Sequence, residues 1–230
     1  RIWRYSNDGE LSLFLEPAGR SNGLFFDAEG FLIACADQDN ELWHISTKTK
    51  EKEVLAKCFQ GKRLNGPNDV WFSKDGVIYL TDPYYQRSYW TRTNSEIPGA
   101  VYKLSNGQLQ KMDDDFGRPN GIVGSDDGKL LYVADIGDDK TYVYEIQKDG
   151  SLANKKLFCE RGSDGMTIDN QGNIYLTGDG VFVYNASGKQ IKHIPVPADW
   201  TANVCFGGNN NEYLFITASD KIFKIYPDWL

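Results

Sequence analysis

One pattern, met five times, constrains this chain more than any other feature. It reads "NGLFFDAEGFLIACAD" from Asn22, "NDVWFSKDGVIYLTD" from Asn68, "NGIVGSDDGKLLYVAD" from Asn120, "DGMTIDNQGNIYLTGD" from Asp164 and "NVCFGGNNNEYLFITASD" from Asn203. Each copy sets an Asn or Asp ahead of a short strand and a turn residue eight positions later, at Gly30, Gly76, Gly128, Gly172 and Asn211. Gly and Asn tolerate the left-handed backbone that tight hairpins need. The copies start 46, 52, 44 and 39 residues apart. Periods of that size, built of several strands each, point to an all-β propeller.

The rest of each unit is legible. A third strand carries a central aromatic ("ELWHIS", "AVYKLS", "TYVYEI", "VFVYN", "KIFKIYPDWL"), and a more polar fourth follows most of them ("KEVLAKCF", "QLQKMDD", "NKKLFCE", "KQIKHIPV"). The opening "RIWRYS" reads as a third strand with no first or second before it. The expected fold is therefore a six-bladed propeller forming a single domain over residues 1–230. Its opening blade is incomplete, and the absent strands fall to a segment ahead of Arg1.

Composition narrows the function classes. Net charge is −7 with no Lys/Arg cluster, so no nucleic-acid partner is expected. No run of about 18 apolar residues exists, so no membrane-spanning helix is expected. Cys35, Cys58, Cys159 and Cys205 stand alone, without CxxC spacing, and read as free buried thiols, with one disulfide pair as the alternative. His44 and His193 lie in alternating strand patterns, which argues against a His zinc site or a Ser-His-Asp triad.

In a propeller the first strands line the axis, so the repeat aims Asn22, Asn68, Asn120, Asp164 and Asn203 at one channel mouth. Such oxygen donors suit a hard cation, Ca²⁺ first and Mg²⁺ or Mn²⁺ next. They equally suit plain turn formation, and both readings stand. Asp164, the one carboxylate of the series, can ligate and also accept a proton. Asp37, Asp82, Asp135 and Asp179 end the second strands and are expected at the opposite face, as blade turns and caps. After Asp82 comes a long insertion, "PYYQRSYWTRTNSEIPG", which reads either as a lid or pocket wall or as a loop packed on a neighbouring blade.

"GKRLNGPNDVWFSKDGVIYLTDPYY", "GRPNGIVGSDDGKLLYVAD" and "SDGMTIDNQGNIYLTG", in this order, resemble the gluconolactonase / senescence-marker-protein (regucalcin) family over essentially the whole chain. The resemblance implies a six-bladed propeller with one divalent metal at the channel mouth, Ca²⁺ foremost and Mg²⁺, Mn²⁺ or Zn²⁺ as alternatives. It implies hydrolysis of a small-molecule sugar lactone. Asn120 matches a metal-binding Asn, Asp164 the metal-binding Asp that also serves as base, and Asn68 an Asn contacting metal or substrate. Arg63, Tyr84 and Tyr85 resemble substrate-pocket residues. The family's remaining ligand, a Glu in an N-terminal EGP motif, has no counterpart here. Glu16 in "FLEPAGRSNG" lies in an expected fourth strand. A non-catalytic propeller scaffold and a paraoxonase-like ester hydrolase are the rival readings.

Overall fold

The computed structural model describes residues 1–226, all in strands, turns and loops. Residues 227–230 of the expected last strand lie outside the described residues. Four antiparallel four-stranded blades follow one another. Blade I holds Ser21–Phe26, Leu32–Ala36, Glu41–Ile45 and Lys52–Ala56. Blade II holds Val70–Phe72, Ile78–Asp82, Ala100–Ser105 and Gln108–Asp113. Blade III holds Pro119–Gly124, Leu130–Asp135, Lys140–Ile146 and Leu152–Cys159. Blade IV holds Met166–Ile168, Ile174–Gly178, Gly180–Tyr184 and Gln190–Ile194. Blade V has three strands, Thr201–Gly207, Tyr213–Ala218 and Lys221–Ile225.

The described residues thus form five blades where the sequence leads one to expect six. Ile2–Tyr5 and Leu11–Leu15 pair only with each other, and two strands do not complete a blade. That hairpin nevertheless touches the blades on either side of it. Ile2 and Phe14 pack with Leu32, Ala34 and Trp43 of blade I, and the Tyr5 ring lies 5.3 Å from Phe215 of blade V. A short extra hairpin, Cys58–Phe59 with Lys62–Arg63, was not foreseen.

The hairpin turns fall as expected. Gly30, Gly76, Gly128, Gly172 and Asn211 all have positive φ, from 56° to 83°. First strands of neighbouring blades touch one another around the axis. The glycines that follow Asn22, Asn120 and Asp164 make that approach feasible. A Cβ on Gly23 would lie 2.5 Å from the Asp69 backbone, one on Gly121 3.0 Å from the Asp164 carbonyl, and one on Gly165 2.2 Å from Asn203 Oδ1. The "NG" and "DG" of the repeat are therefore packing requirements of the inner ring as well as turn chemistry.

Between blades the faces are apolar. Trp43, Tyr79, Tyr102 and Tyr175 are the largest fully buried side chains, each worth roughly 1.5–3 kcal/mol of burial. Tyr79 also reaches across to the next blade, donating to the Gly150 carbonyl at 2.8 Å. All four cysteines are free, and Cys58 and Cys205 are exposed, contrary to the expectation of buried thiols.

Candidate functional site at the channel mouth

At one end of the axis a cavity of about 670 Å³ is lined by Asn22, Asn68, Asn120 and Asp164, together with arginines and aromatics from the surrounding loops. A larger groove, about 860 Å³, runs between the outer edges of blades I and II past Lys57, Phe59 and Leu109. Its lining holds no carboxylate, only the amides of Gln60 and Gln110, so the mouth, where Asp164 meets several amides, is the candidate site.

Asn203 does not join the cluster. In blades I and III the residue opposite the end of the second strand is Ser21 (facing Ala36) or Pro119 (facing Asp135), and the site Asn follows directly. In blade V that residue is Thr201, facing Ala218, so Asn203 falls one position too late. A one-residue slip turns a strand side chain to the other face. Its Oδ1 instead accepts from Val204 N–H, and Trp200 lines the mouth.

The second-strand aspartates lie at this same face, not the opposite one. In an antiparallel hairpin the end of the second strand sits beside the start of the first, as the Pro119–Asp135 pairing shows. Asp82 and Asp135 turn out to be backbone clamps. Asp82 accepts from Asn65 N–H (2.8 Å) and Gly66 N–H (2.9 Å), three and two residues before Asn68. Asp135 accepts from Gly117 N–H (2.8 Å) and Arg118 N–H (2.6 Å), three and two residues before Asn120. The preceding threonine adds an interblade tie, Thr81 Oγ1 donating to the Asn120 carbonyl at 2.7 Å. These bonds fix the loops that present the two amides. Asp179 makes no such clamp; its carbonyl meets the His193 ring.

The insertion between Asp82 and Ala100 satisfies both alternatives. It packs on blade I and walls the cavity. Arg87 Nε meets Asp37 Oδ2 at 3.1 Å, the Tyr89 hydroxyl donates to the same carboxylate, and Trp90 Nε1 donates to the Gln38 carbonyl at 3.2 Å. The root of the loop is tied by buried Asn65, whose Nδ2 donates to the carbonyls of Asp82 and Ile97, both at 3.1 Å. Tyr85 reaches the cavity, whereas Tyr84 lies beside it, under Arg92 with its hydroxyl on Gln86. Arg63 sits in the exposed extra hairpin, outside the cavity lining, with its N–H on Glu96.

Asn120 is 2% exposed. Its Nδ2 donates to the Tyr85 hydroxyl at 2.9 Å, and it also hydrogen-bonds Asp164. Its Oδ1 is buried without a partner. Asp164 Oδ2 accepts from Trp200 Nε1 at 3.0 Å. Burial raises the Asp164 pKa above the ordinary carboxylate range, opposed by the bonds from Trp200 and Asn120 and by the Arg87 charge. Behind it Asp69 is buried and pushed up to about 7, by burial first and also by the Asp164 charge, although Val70 and Ile122 N–H groups bond it.

These residues fit a hard divalent cation. Among the described residues no three His, Cys, Asp or Glu side chains gather into a metal cage; the donor set is two amides and one carboxylate. A buried amide oxygen left without a donor is a strong reason to look for one more partner, and a cation accepts just such an oxygen.

A propeller with an oxygen-lined axial mouth and a loop wall around it is the class that fold and site define together. The chain belongs to the SMP-30/Gluconolactonase/LRE-like family, whose model matches residues 1–220. It is 27% identical to a gluconolactonase of Zymomonas mobilis, over 96% of this chain and 71% of that one. A solved gluconolactonase from Xanthomonas campestris superposes with a TM-score of 0.91 at 27% identity, covering 98% of this chain and 78% of its own. A diisopropyl-fluorophosphatase of Loligo vulgaris is 28% identical over 78% of this chain, which spans 63% of that protein.

Proposed function

We propose that the chain is a lactonase-type hydrolase that opens sugar lactones at the axial mouth, and that residues 1–230 belong to one propeller domain of six blades, the Ile2–Leu15 hairpin being the outer half of the opening blade. The observation that carries the activity is the unpartnered Asn120 Oδ1 beside Asp164 and Asn68 in one cavity. Asn68, Asn120 and Asp164 would hold a divalent cation, Ca²⁺ foremost. Such an ion, when bound, polarises a lactone carbonyl and stabilises the charge that develops on its oxygen.

The chain's own residues do the rest. The Asp164 carboxylate takes the proton of the attacking water. Its burial makes it a stronger base than an exposed aspartate, and Trp200 N–H holds its Oδ2 in place. Asn68, fixed through the Asp82 clamp, and Tyr85, tied to Asn120, orient the sugar hydroxyls. Arg63 and Tyr84 would reach the substrate only through movement of the loops that carry them. The test is hydrolysis of glucono-1,5-lactone followed by pH-stat. Asp164→Ala is expected to lower kcat/KM at least about 100-fold, the usual share of a general base. Full activity in that variant would overturn this role, and turnover that survives chelator would remove the cation.

A further inference from the structure

Eight arginines occur in the chain, and three of them, Arg20, Arg87 and Arg118, line this one cavity, with no lysine among its lining residues. That concentration runs against a net charge of −7. Only Arg87 has a carboxylate partner, Asp37. Among the described residues Arg20 and Arg118 have none. Each lies over a tyrosine face instead, Arg20 4.3 Å from the Tyr89 ring centre and Arg118 4.9 Å from that of Tyr85. Stacking holds a guanidinium in place without neutralising it. The three come from different parts of the chain, two from the loops entering blades I and III and one from the insertion, so no single turn motif explains their convergence.

We propose that the substrate is an anionic sugar lactone, one bearing a carboxylate or phosphate group on its ring substituent, with Arg20 and Arg118 as the anion-binding residues and Arg87 completing the basic wall. This rests on the lactonase reading for the ring that is opened, while the anion site stands on its own geometry. A neutral polyol can only accept hydrogen bonds from these guanidiniums and leaves their charge in place. An oxyanion takes the planar N–H fork in bidentate fashion and compensates the charge. The unpartnered Asn120 Oδ1, buried at the floor of the same cavity, marks a second group awaiting a ligand. Floor and wall together suit a bifunctional molecule: a reacting carbonyl at the axis and a negative group towards the rim.

The test separates the two readings. Calorimetric titration of the intact protein with glucose, glucuronate and glucose 6-phosphate requires no turnover. The expected result is that at least one anion binds 10-fold or more tighter than glucose, and that Arg20→Gln with Arg118→Gln brings the ratio close to one. Glucuronate and glucose 6-phosphate distinguish a carboxylate from a phosphate preference. Arg118→Gln alone, with an expected loss of several-fold, keeps the test decisive where the double variant fails to fold. Equal binding of all three sugars, or a preference that survives loss of both arginines, overturns the proposal. Tight anion binding with no hydrolysis of either glucono-1,5-lactone or its 6-phosphate would instead sink the lactonase reading and leave the anion site standing.

Discussion

Replacing Asp135 by Asn is the sharpest probe of how the mouth is held together. Asp135 is fully buried. Its Oδ2 accepts from Gly117 N–H at 2.8 Å, and its Oδ1 accepts from Arg118 N–H at 2.6 Å and Gly137 N–H at 3.0 Å. Asparagine has the same shape but one oxygen. It can keep the Oδ1 set and must then turn its NH₂ towards Gly117 N–H, donor against donor. A hydrogen bond to a charged group contributes about 1.5–3 kcal/mol, and a buried donor left unpaired costs about 1–3 kcal/mol. The expected loss is about 3 kcal/mol. Unfolding entropy of about 2.1 cal/mol/K per residue converts this to roughly 6 °C in Tm for a chain of this length. Urea and thermal unfolding followed by tryptophan fluorescence would measure it, with Asp126→Asn, an exposed turn carboxylate, as the control expected to shift by under about 0.5 kcal/mol. Because the clamped residues lead directly into Asn120, lactone hydrolysis should fall as well. An Asp135→Asn protein as stable as the control would refute the clamp.

Gly124→Ala should cost about 1–3 kcal/mol by overpacking, since its Cβ would lie 2.3 Å from the buried Trp71 ring; an unchanged urea midpoint would mean that the ring can swing aside. Asp82 predicts a pH dependence. Burial pushes it up to about 7, against the N–H bonds from Asn65 and Gly66 and the charge of Arg92. The folded chain then binds a proton that the unfolded chain releases near pH 3.8. The associated stability is in full below about pH 4 and is lost as the pH rises through about 7. Asp82→Asn should flatten that part of the urea-midpoint profile, and identical slopes in parent and variant would rule Asp82 out as its source.

Much of this architecture is legible in the residues because the repeat carries local physics. Turn glycines, alternating strands and polar first-strand starts each act within a few residues, and they place Asn22, Asn68, Asn120 and Asp164 at one mouth. What escapes is what depends on register or on distant loops. Asn203 has the right type and spacing but slips by one position, which only the Thr201–Ala218 pairing reveals. Arg20, Arg118 and Trp200 reach the cavity from three separate loops, and no local signal sets them apart. The aspartates at the second-strand ends are misplaced by reading strand direction without pairing: opposite directions bring the end of one strand to the start of the next, so Asp82 and Asp135 face the site they support.

The way carboxylates are distributed among the blades then explains the charge of the mouth. In blades II and III the second strand ends in Asp82 or Asp135, consumed by backbone N–H groups, and the site residue is a neutral amide. In blade IV the second strand ends in Gly178, the Asp179 that follows makes no clamp, and the site residue is Asp164. Ser163 and Thr177 side chains tie that loop instead, Gly165 N–H reaching Thr177 Oγ1 at 2.9 Å. Blade I breaks the alternation. Gly19 and Arg20 adopt positive φ, 56° and 49°; Gly19 presents its carbonyl to Gln38 N–H, and Asp37 is left free to pair with Arg87 and Tyr89. A clamp carboxylate beside Asp164 would add repulsion to a cluster where Asp69 is already pushed up to about 7. With Asp37 neutralised by Arg87, Asp164 is the one carboxylate of the cavity lining without an arginine partner within 4 Å among the described residues. The two unpaired guanidiniums then give the rim a positive field, and the proposed preference for an anionic lactone over a neutral one rests on this charge division between axis and rim.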